Sequence, residues 1–156
     1  MFGLNGFQND SHGELLALIA RIGAEIKDRF TPLTSDQNLP LQIAINQGKK
    51  GDKGKAIHYH TPAAGQTEPR QEILYVIKGK IKALIYTTKG EFVAEKILSV
   101  GDLILFTQAH NIEFLEDSIL LEVKQGPYPG LENDKIVLEE QSSSPIRDNR
   151  ASSSAD

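Results

Sequence analysis

The chain contains no cysteine and few aromatic residues, which make up 6% of the total. Without cysteine there are no disulfide bonds, no thiolate metal sites and no cysteine nucleophile, and this composition fits a reducing compartment. No apolar run approaches the roughly 20 residues that a membrane-spanning helix needs. The first ten residues, MFGLNGFQND, also lack the basic and apolar regions of a signal peptide. We therefore expect a cytoplasmic protein without a membrane partner.

An excess of positive charge is absent too, since the formal net charge is -4 at pH 7. This balance gives no reason to expect nucleic acid as a partner. A length of 156 residues suits one domain with a real core, and no internal repeat is visible. We divide the chain into an N-terminal segment (residues 1–34), a central β domain (residues 35–138) and a Ser-rich tail (residues 139–156). The tail has almost no large apolar side chains, so we expect it to be disordered.

The N-terminal segment has the pattern of an amphipathic helix. Ser11 and Glu14 stand three residues apart, as in a capping box. The apolar residues that recur at helical spacing are Leu15, Leu18, Ile19, Ile22, Ile26 and Phe30. We therefore predict a helix over residues 11–30 that packs on the outside of the β domain, with an oligomer contact as the alternative.

The central domain consists of short strand-like segments between turn signals. EILYVIK and KIKALIY flank Gly79 in a hairpin pattern, and Lys89-Gly90 and Gly101-Asp102 mark further turns. Many short strands between turns indicate an all-β sandwich or barrel.

One of these strands, SILLEVKQ, has two contrasting faces. Ile119, Leu121 and Val123 lie on one face, whereas Glu122 and Lys124 lie on the other. We favour the arrangement in which the polar face is exposed. If the polar face instead lines the barrel, both charged residues become candidates for substrate contact and acid–base chemistry.

Two histidines, His58 and His60, stand one residue apart and are followed by Glu72. Residues two apart in a strand point to the same face, so both imidazoles would lie on one side. Glu72 would add a carboxylate from a neighbouring strand. Such a set suits a divalent transition metal such as Fe, Mn, Ni, Cu or Zn. A histidine pair alone is a weak signal, because strand histidines are usually surface or hydrogen-bonded residues.

These residues resemble the first motif of the cupin superfamily, which reads roughly G-x5-H-x-H-x3-4-E-x6-G. Gly54, His58, His60, Glu72 and Gly79 take its positions, and the spacing from Glu72 to Gly79 matches. Eleven residues separate His60 from Glu72, where three or four are usual. This segment, TPAAGQTEPRQ, is rich in Pro, Gly and Ala, and we interpret it as a lengthened loop between two strands.

The second cupin motif, roughly G-x5-P-x-G-x2-H-x3-N, resembles the stretch GDLILFTQAHNIEF that begins at Gly101. Thr107 stands where proline is expected, and His110 comes two residues early. The resemblance makes His110 the candidate fourth ligand, with Glu113 as a competing ligand if the loop is rearranged.

The resemblance covers about residues 41–123 and implies a cupin-type antiparallel β-barrel or jelly roll. It further implies a metal held by the two motifs, a small-molecule ligand and a homodimer. The fold does not choose the chemistry. The first reading is a metal-dependent enzyme of dioxygenase or isomerase type, and the second is a cupin that binds or senses a small ligand without turnover.

The third reading is a metal-free isomerase or epimerase acting on nucleotide-linked sugars. There a histidine, His60 or His110, would transfer protons together with a tyrosine. The candidate substrate-contacting residues for these readings are Tyr75, Tyr86, Glu122 and Tyr128.

Overall fold

A computed structural model of the chain describes residues 7–9, 15–19, 28–34, 36–54 and 56–139. These ranges contain twelve strands and no helix. The strands are β1 (Phe7–Asn9), β2 (Leu15–Leu18), β3 (Phe30–Pro32), β4 (Leu41–Gly48), β5 (Ile57–His60), β6 (Glu72–Lys78), β7 (Lys80–Tyr86), β8 (Phe92–Ser99), β9 (Leu103–Phe106), β10 (His110–Phe114), β11 (Ser118–Gln125) and β12 (Lys135–Leu138). The described part of the chain accordingly holds no helix long and apolar enough to cross a bilayer.

Two five-stranded antiparallel sheets form the body of the protein. One has the order β12-β5-β10-β7-β8 and the other β3-β4-β11-β6-β9, while β1 and β2 pair separately. Most strands that follow one another in sequence, such as β5 and β6, lie in different sheets, and the exceptions within the two sheets are the paired strands β3 and β4 and the paired strands β7 and β8. This arrangement is that of a jelly roll, and the prediction of an antiparallel all-β fold is confirmed.

The predicted N-terminal helix is not borne out. Leu15–Leu18 forms strand β2 and pairs antiparallel with β1, and Phe30 begins strand β3. The run LLAL is too short for its periodicity to separate helix from strand, so pairing with another strand decides its structure. Residues 11–14 and 20–27 of the prediction lie outside the described residues, as do residues 140–156 of the predicted disordered tail.

The interior of the barrel has an apolar end and a polar end. Side chains alternate across each strand, so every second residue points inward. The apolar end is a buried cluster of Leu74, Val76, Ile81, Ala83, Phe106, Ile112, Phe114 and Leu120. The buried polar groups toward the other end are His60, Arg70, Glu72, His110, Glu122, Lys124 and Asp134. The inward row of β6 thus changes from Glu72 to Leu74 and Val76 along one strand.

The favoured exposure of the polar face of β11 is wrong. Glu122 is 6% exposed and Lys124 is 7% exposed. Strand β11 lies between β4 and β6, and its polar side chains point into the barrel while Leu121 and Val123 lie on the half-buried outer face. Both faces of this strand carry some apolar surface, so alternation alone did not identify the inner one.

Gly79 joins β6 to β7 in a turn that only glycine fits. Its φ is 83°, in the left-handed region. A Cβ atom at this position would collide with the Ser118 side chain and lie 2.6 Å from the Asp117 carbonyl oxygen. This close approach explains why a glycine ends the Glu72-x6-Gly79 pattern.

Phe114 anchors the apolar end, where it is fully buried and where a Cβ at Gly48 would lie 2.6 Å from its ring. We predict that Phe114→Ala lowers the free energy of unfolding by about 3–5 kcal/mol, because it leaves a cavity in a packed core. Denaturant unfolding measures this loss. Phe92, which is 50% exposed, is the matched control, and Phe92→Ala should cost far less. Equal losses for the two variants would contradict the assigned core.

Candidate metal centre

Three histidine side chains meet inside the polar end of the barrel. His58 on β5 lies directly opposite His110 on β10 in an antiparallel pair, so their side chains share a face. His60 lies two residues further along β5. One ring nitrogen from each of the three lies within 4.8 Å of the other two. His60 and His110 are buried, whereas His58 is half-buried, so the cluster is most accessible on the His58 side.

Hydrogen bonds fix which nitrogen of each ring points to the centre. His58 and His110 each place Nδ1 against the carbonyl oxygen two residues earlier, at 2.9 and 3.2 Å. His60 places Nδ1 3.3 Å from the carbonyl oxygen of Asp134. A protonated Nδ1 donates to each of these oxygens, which leaves Nε2 as the nitrogen that can bind a metal.

Ring stacking also orients His110. The Phe106 ring lies 4.0 Å from the His110 ring, centroid to centroid, at an interplanar angle of 10°. Because Phe106 is itself part of the buried apolar cluster, this contact couples the position of the imidazole to the packed core.

Glu72 completes the group from the other sheet. Its Oε2 lies 2.6 Å from Nε2 of His60, and its Oε1 lies 3.7 Å from Nε2 of His110. Glu72 is 5% exposed. The Glu72 carboxylate therefore faces Nε2 of both His60 and His110 from the opposite sheet.

The surroundings favour a neutral His58 and an ionised Glu72. Burial lowers the pKa of His58 to about 3, assisted by the charges of Lys135 and His110. Burial acts to raise the pKa of Glu72, but His110 and His60 hold it well below its usual value. Burial acts to lower the pKa of His60, but its hydrogen bonds to Asp134 and Glu72 raise it. The short contact between His60 and Glu72 is therefore a charge-assisted hydrogen bond in the metal-free protein.

Comparison with solved structures identifies the architecture. An RmlC-like cupin protein from Desulfovibrio desulfuricans is 15% identical, over 62% of this chain and 79% of that chain, with a TM-score of 0.45. KdgF from Halomonas sp. is 20% identical, over 65% and 83%, with a TM-score of 0.46. A single-residue variant of oxalate decarboxylase from Bacillus subtilis is 24% identical, over 64% of this chain but only 24% of that chain, with a TM-score of 0.50.

The chain has the cupin fold. At these identities the likeness concerns the fold and not the activity. No protein-family model matches the sequence, and no curated protein matches it.

Beyond the four converging residues, the interior of this cupin barrel holds a network of charges. Lys124 Nζ lies 3.2 Å from Oδ2 of Asp134 and 3.7 Å from Oε1 of Glu122. Arg70 Nη2 lies 2.9 Å from Oδ1 of Asp134. Asp134 Oδ2 in turn lies 3.4 Å from Nδ1 of His60. Charged side chains therefore lie next to His60, whereas the apolar ring of Phe106 lies against His110.

Among the predicted substrate-contacting residues, only Glu122 lies in this polar interior. Tyr75 is on the outer side of β6 and is 36% exposed. Tyr86 is buried in a separate cluster with Ile57 and Ala109. Tyr128 is half-buried after β11, and its backbone amide donates to Gln37. The structure does not bring Tyr75 or Tyr86 to the histidines, so their substrate-binding roles stay predictions without geometric support.

The structure distinguishes between the two candidate ligands in the second cupin motif. Glu113 lies on the face of β10 opposite to His110, and its carboxylate is 3.8 Å from Lys82 on β7. His110 is thus the residue of this pair that reaches the cluster.

Sequence reasoning missed Arg70 and Asp134. Arg70 is in the lengthened loop, where a single basic residue among Pro, Gly and Ala gives only a weak signal. Asp134 is 74 residues from His60 in sequence, and nothing in its local pattern marks it. Their roles depend on long-range packing.

Burial raises the pKa of Glu122 to about 7, and the charge of Glu72 adds to this shift. A glutamate in the unfolded chain titrates near 4.3. The stabilisation by protonated Glu122 is therefore complete below that value and is lost as the pH rises to about 7.

We predict that Glu122→Gln removes this pH dependence. The variant should gain about 2–3 kcal/mol of unfolding free energy relative to the wild type between pH 5 and pH 8. Denaturant unfolding of both metal-free proteins at the two pH values measures the difference. A constant difference between variant and wild type would show that Glu122 is not held in a desolvated site.

Proposed function

We propose that this cupin binds one divalent transition-metal ion through His58, His60, Glu72 and His110 and acts on a small molecule there. The observation that carries the proposal is the convergence of three imidazole nitrogens within 4.8 Å, each ring having its Nδ1 hydrogen-bonded to an oxygen. Histidines that merely fill a core have no need to direct three Nε2 atoms at one point.

The donor set fits a borderline metal ion. Imidazole nitrogens with one carboxylate oxygen suit Fe, Mn, Ni, Cu or Zn, and they do not select among these ions. Glu72 already faces Nε2 of His60 at 2.6 Å, so a cation between them would take the place of the proton they share. The oxalate decarboxylase of Bacillus subtilis has Mn(II) centres, which places Mn among the ions to test first.

The proposed chemistry is that of a metal-dependent dioxygenase or isomerase. Four protein ligands leave one or two coordination positions, at which a bound ion would supply a Lewis acid to a small molecule. His58 is the most accessible of the ligands, so the small molecule enters on that side. Glu122, whose pKa is raised to about 7, is the proposed proton donor or acceptor.

A cupin that binds metal and small ligand without turnover is the second candidate, because it needs the same ligands. The metal-free sugar-nucleotide epimerase is less well supported. It requires a tyrosine beside His60 or His110, and of the three candidate tyrosines Tyr75 and Tyr86 lie elsewhere, which leaves only Tyr128. The expected homodimer also stays a prediction.

We predict that the protein purified without an affinity tag carries about one divalent ion per chain, and that His58→Ala and Glu72→Gln each lose it. Removing a ligand should weaken affinity by at least the 10–100-fold that loss of an outer partner costs. Elemental analysis measures metal per chain, and circular dichroism checks that each variant remains folded. His12→Ala is the matched control, since His12 is the one further histidine of the chain.

The identity of the bound ion then determines which activity is assayed first. Fe or Mn directs the search to dioxygen uptake, whereas Zn or Ni directs it first to isomerisation. A folded wild type that takes up none of the five ions would remove the metal proposal.

A further inference from the structure

Asp134 lies where the loop before β12 meets the metal centre. Its carbonyl oxygen and its Oδ2 lie 3.3 and 3.4 Å from Nδ1 of His60. By contrast, Nδ1 of His58 and of His110 each contact only a backbone carbonyl oxygen among the described residues. His60 is therefore the one of the three imidazoles whose outer nitrogen faces a carboxylate.

Arg70 holds Asp134 in this position. The Nη2 atom donates to the Asp134 carbonyl oxygen at 3.0 Å and to its Oδ1 at 2.9 Å. The same guanidinium donates from Nε to the Thr61 carbonyl oxygen at 2.7 Å and from Nη1 to the Pro127 carbonyl oxygen at 3.2 Å. Arg70 is 2% exposed, so these bonds form in a desolvated site, where they are strong.

Arg70 belongs to the eleven-residue segment that separates the two ligand-bearing strands. This segment folds back so that Arg70 forms an antiparallel bridge with His60 itself. The guanidinium thus links Arg70, near the end of the loop, to Thr61 at its start and to the turn that contains Asp134. The extra length of the loop thus places the cationic Arg70 beside Asp134, on the Nδ1 side of the His60 ring.

We propose that Asp134 is the positioning carboxylate of His60 and that Arg70 acts through Asp134, an inference that rests on the proposed metal site. Nδ1–H of His60 donates to Asp134, which fixes the ring so that Nε2 faces the centre and makes that nitrogen a stronger donor. Lys124 Nζ, 3.2 Å from Oδ2, and Arg70 together compensate the buried charge of Asp134. The carboxylate consequently stays ionised and keeps accepting.

Arginine suits this place better than lysine. Its planar fork presents donors in fixed directions, and here it satisfies two oxygens of one residue and two carbonyl oxygens from other segments. A lysine would keep the charge but could not hold all of these segments in one geometry.

The test uses Co2+ as the probe ion, because its absorption spectrum reports on the ligand field. In Asp134→Asn the side chain keeps its shape and an acceptor oxygen but loses its charge. We expect the Kd for Co2+, measured by competition with a chelator, to rise 10–100-fold. Asp117→Asn is the control for loss of a carboxylate that accepts from a lysine, since Asp117 accepts from Lys49 Nζ at 2.8 Å and from the Lys50 amide at 2.9 Å but lies on the surface, in the turn between β10 and β11.

A spectroscopic readout separates positioning from a general loss of stability. In the Zn2+-loaded protein, long-range 1H–15N spectra report the protonation of each ring nitrogen. Asp134→Asn should shift the ring signals of His60 while leaving those of His58 and His110 near their wild-type positions. Similar shifts for all three histidines would indicate a disturbed fold and would overturn the assignment.

Arg70→Lys tests the second half of the inference, and if Asp134→Asn does not fold, the Kd of Arg70→Lys alone still tests the role of Arg70. Arg70→Lys alone should raise the Kd for Co2+ about tenfold. Combined with Asp134→Asn it should cost little more than the single change, because both act through one contact. Fully additive losses would show that Arg70 does not act through Asp134.

Two outcomes distinguish this inference from the proposed function. A wild type that binds Co2+ tightly, with folded variants whose Kd lies within twofold of it, sinks the positioning role and leaves the metal site standing. A folded wild type that binds no Co2+ removes the proposed site, and the inference goes with it.

Discussion

The burial of charge at one end of the barrel is the constraint on which the rest of this structure depends. Among the described residues the buried carboxylates are Glu72, Glu122 and Asp134, and the buried fixed cations are Arg70 and Lys124. An uncompensated buried charge is costly, and two cations can balance only two of these three carboxylates in ionised form. Burial and the charge of Glu72 raise the pKa of Glu122 to about 7, so Glu122 relieves the excess by holding a proton below that pH. His60 and Glu72 share a further proton across 2.6 Å, and a bound divalent cation would take its place.

The fold tolerates the buried charges at its polar end because the same strands bury apolar side chains at the other end. Strand β6 carries Glu72 at its start and Leu74 and Val76 further on, and β10 runs from His110 to Phe114. Phe106 belongs to the apolar cluster and stacks on His110. The hydrophobic burial that stabilises the domain therefore also fixes the backbone from which the histidines project.

Local alternation made part of this site predictable. Residues two apart share a face of a strand, so alternation placed the imidazoles of His58 and His60 together. Glu72 and His110 joined them as candidate ligands through the resemblance to the two cupin motifs, and the spacing of short strands between turn signals indicated the all-β fold. The inner face of β11 was not predictable, because each face carries apolar side chains and only the pairing with β4 and β6 decides which one points inward. The short LLAL run was equally ambiguous, and its pairing with β1 decided against a helix.

Long-range contacts explain how the site survives two departures from the cupin spacing. His110 comes two residues early after Gly101, but its position is set by cross-strand pairing with His58 and not by its distance from that glycine. The lengthened loop before Glu72 is likewise harmless, because β6 is placed by its pairing with β11 and β9. Strand register, which is fixed by inward and outward alternation, thus sets the relative positions of the candidate ligands. The residue spacing of the motifs follows that register only approximately. The register does not fix the length of the loop, and here the longer loop brings Arg70 next to His60.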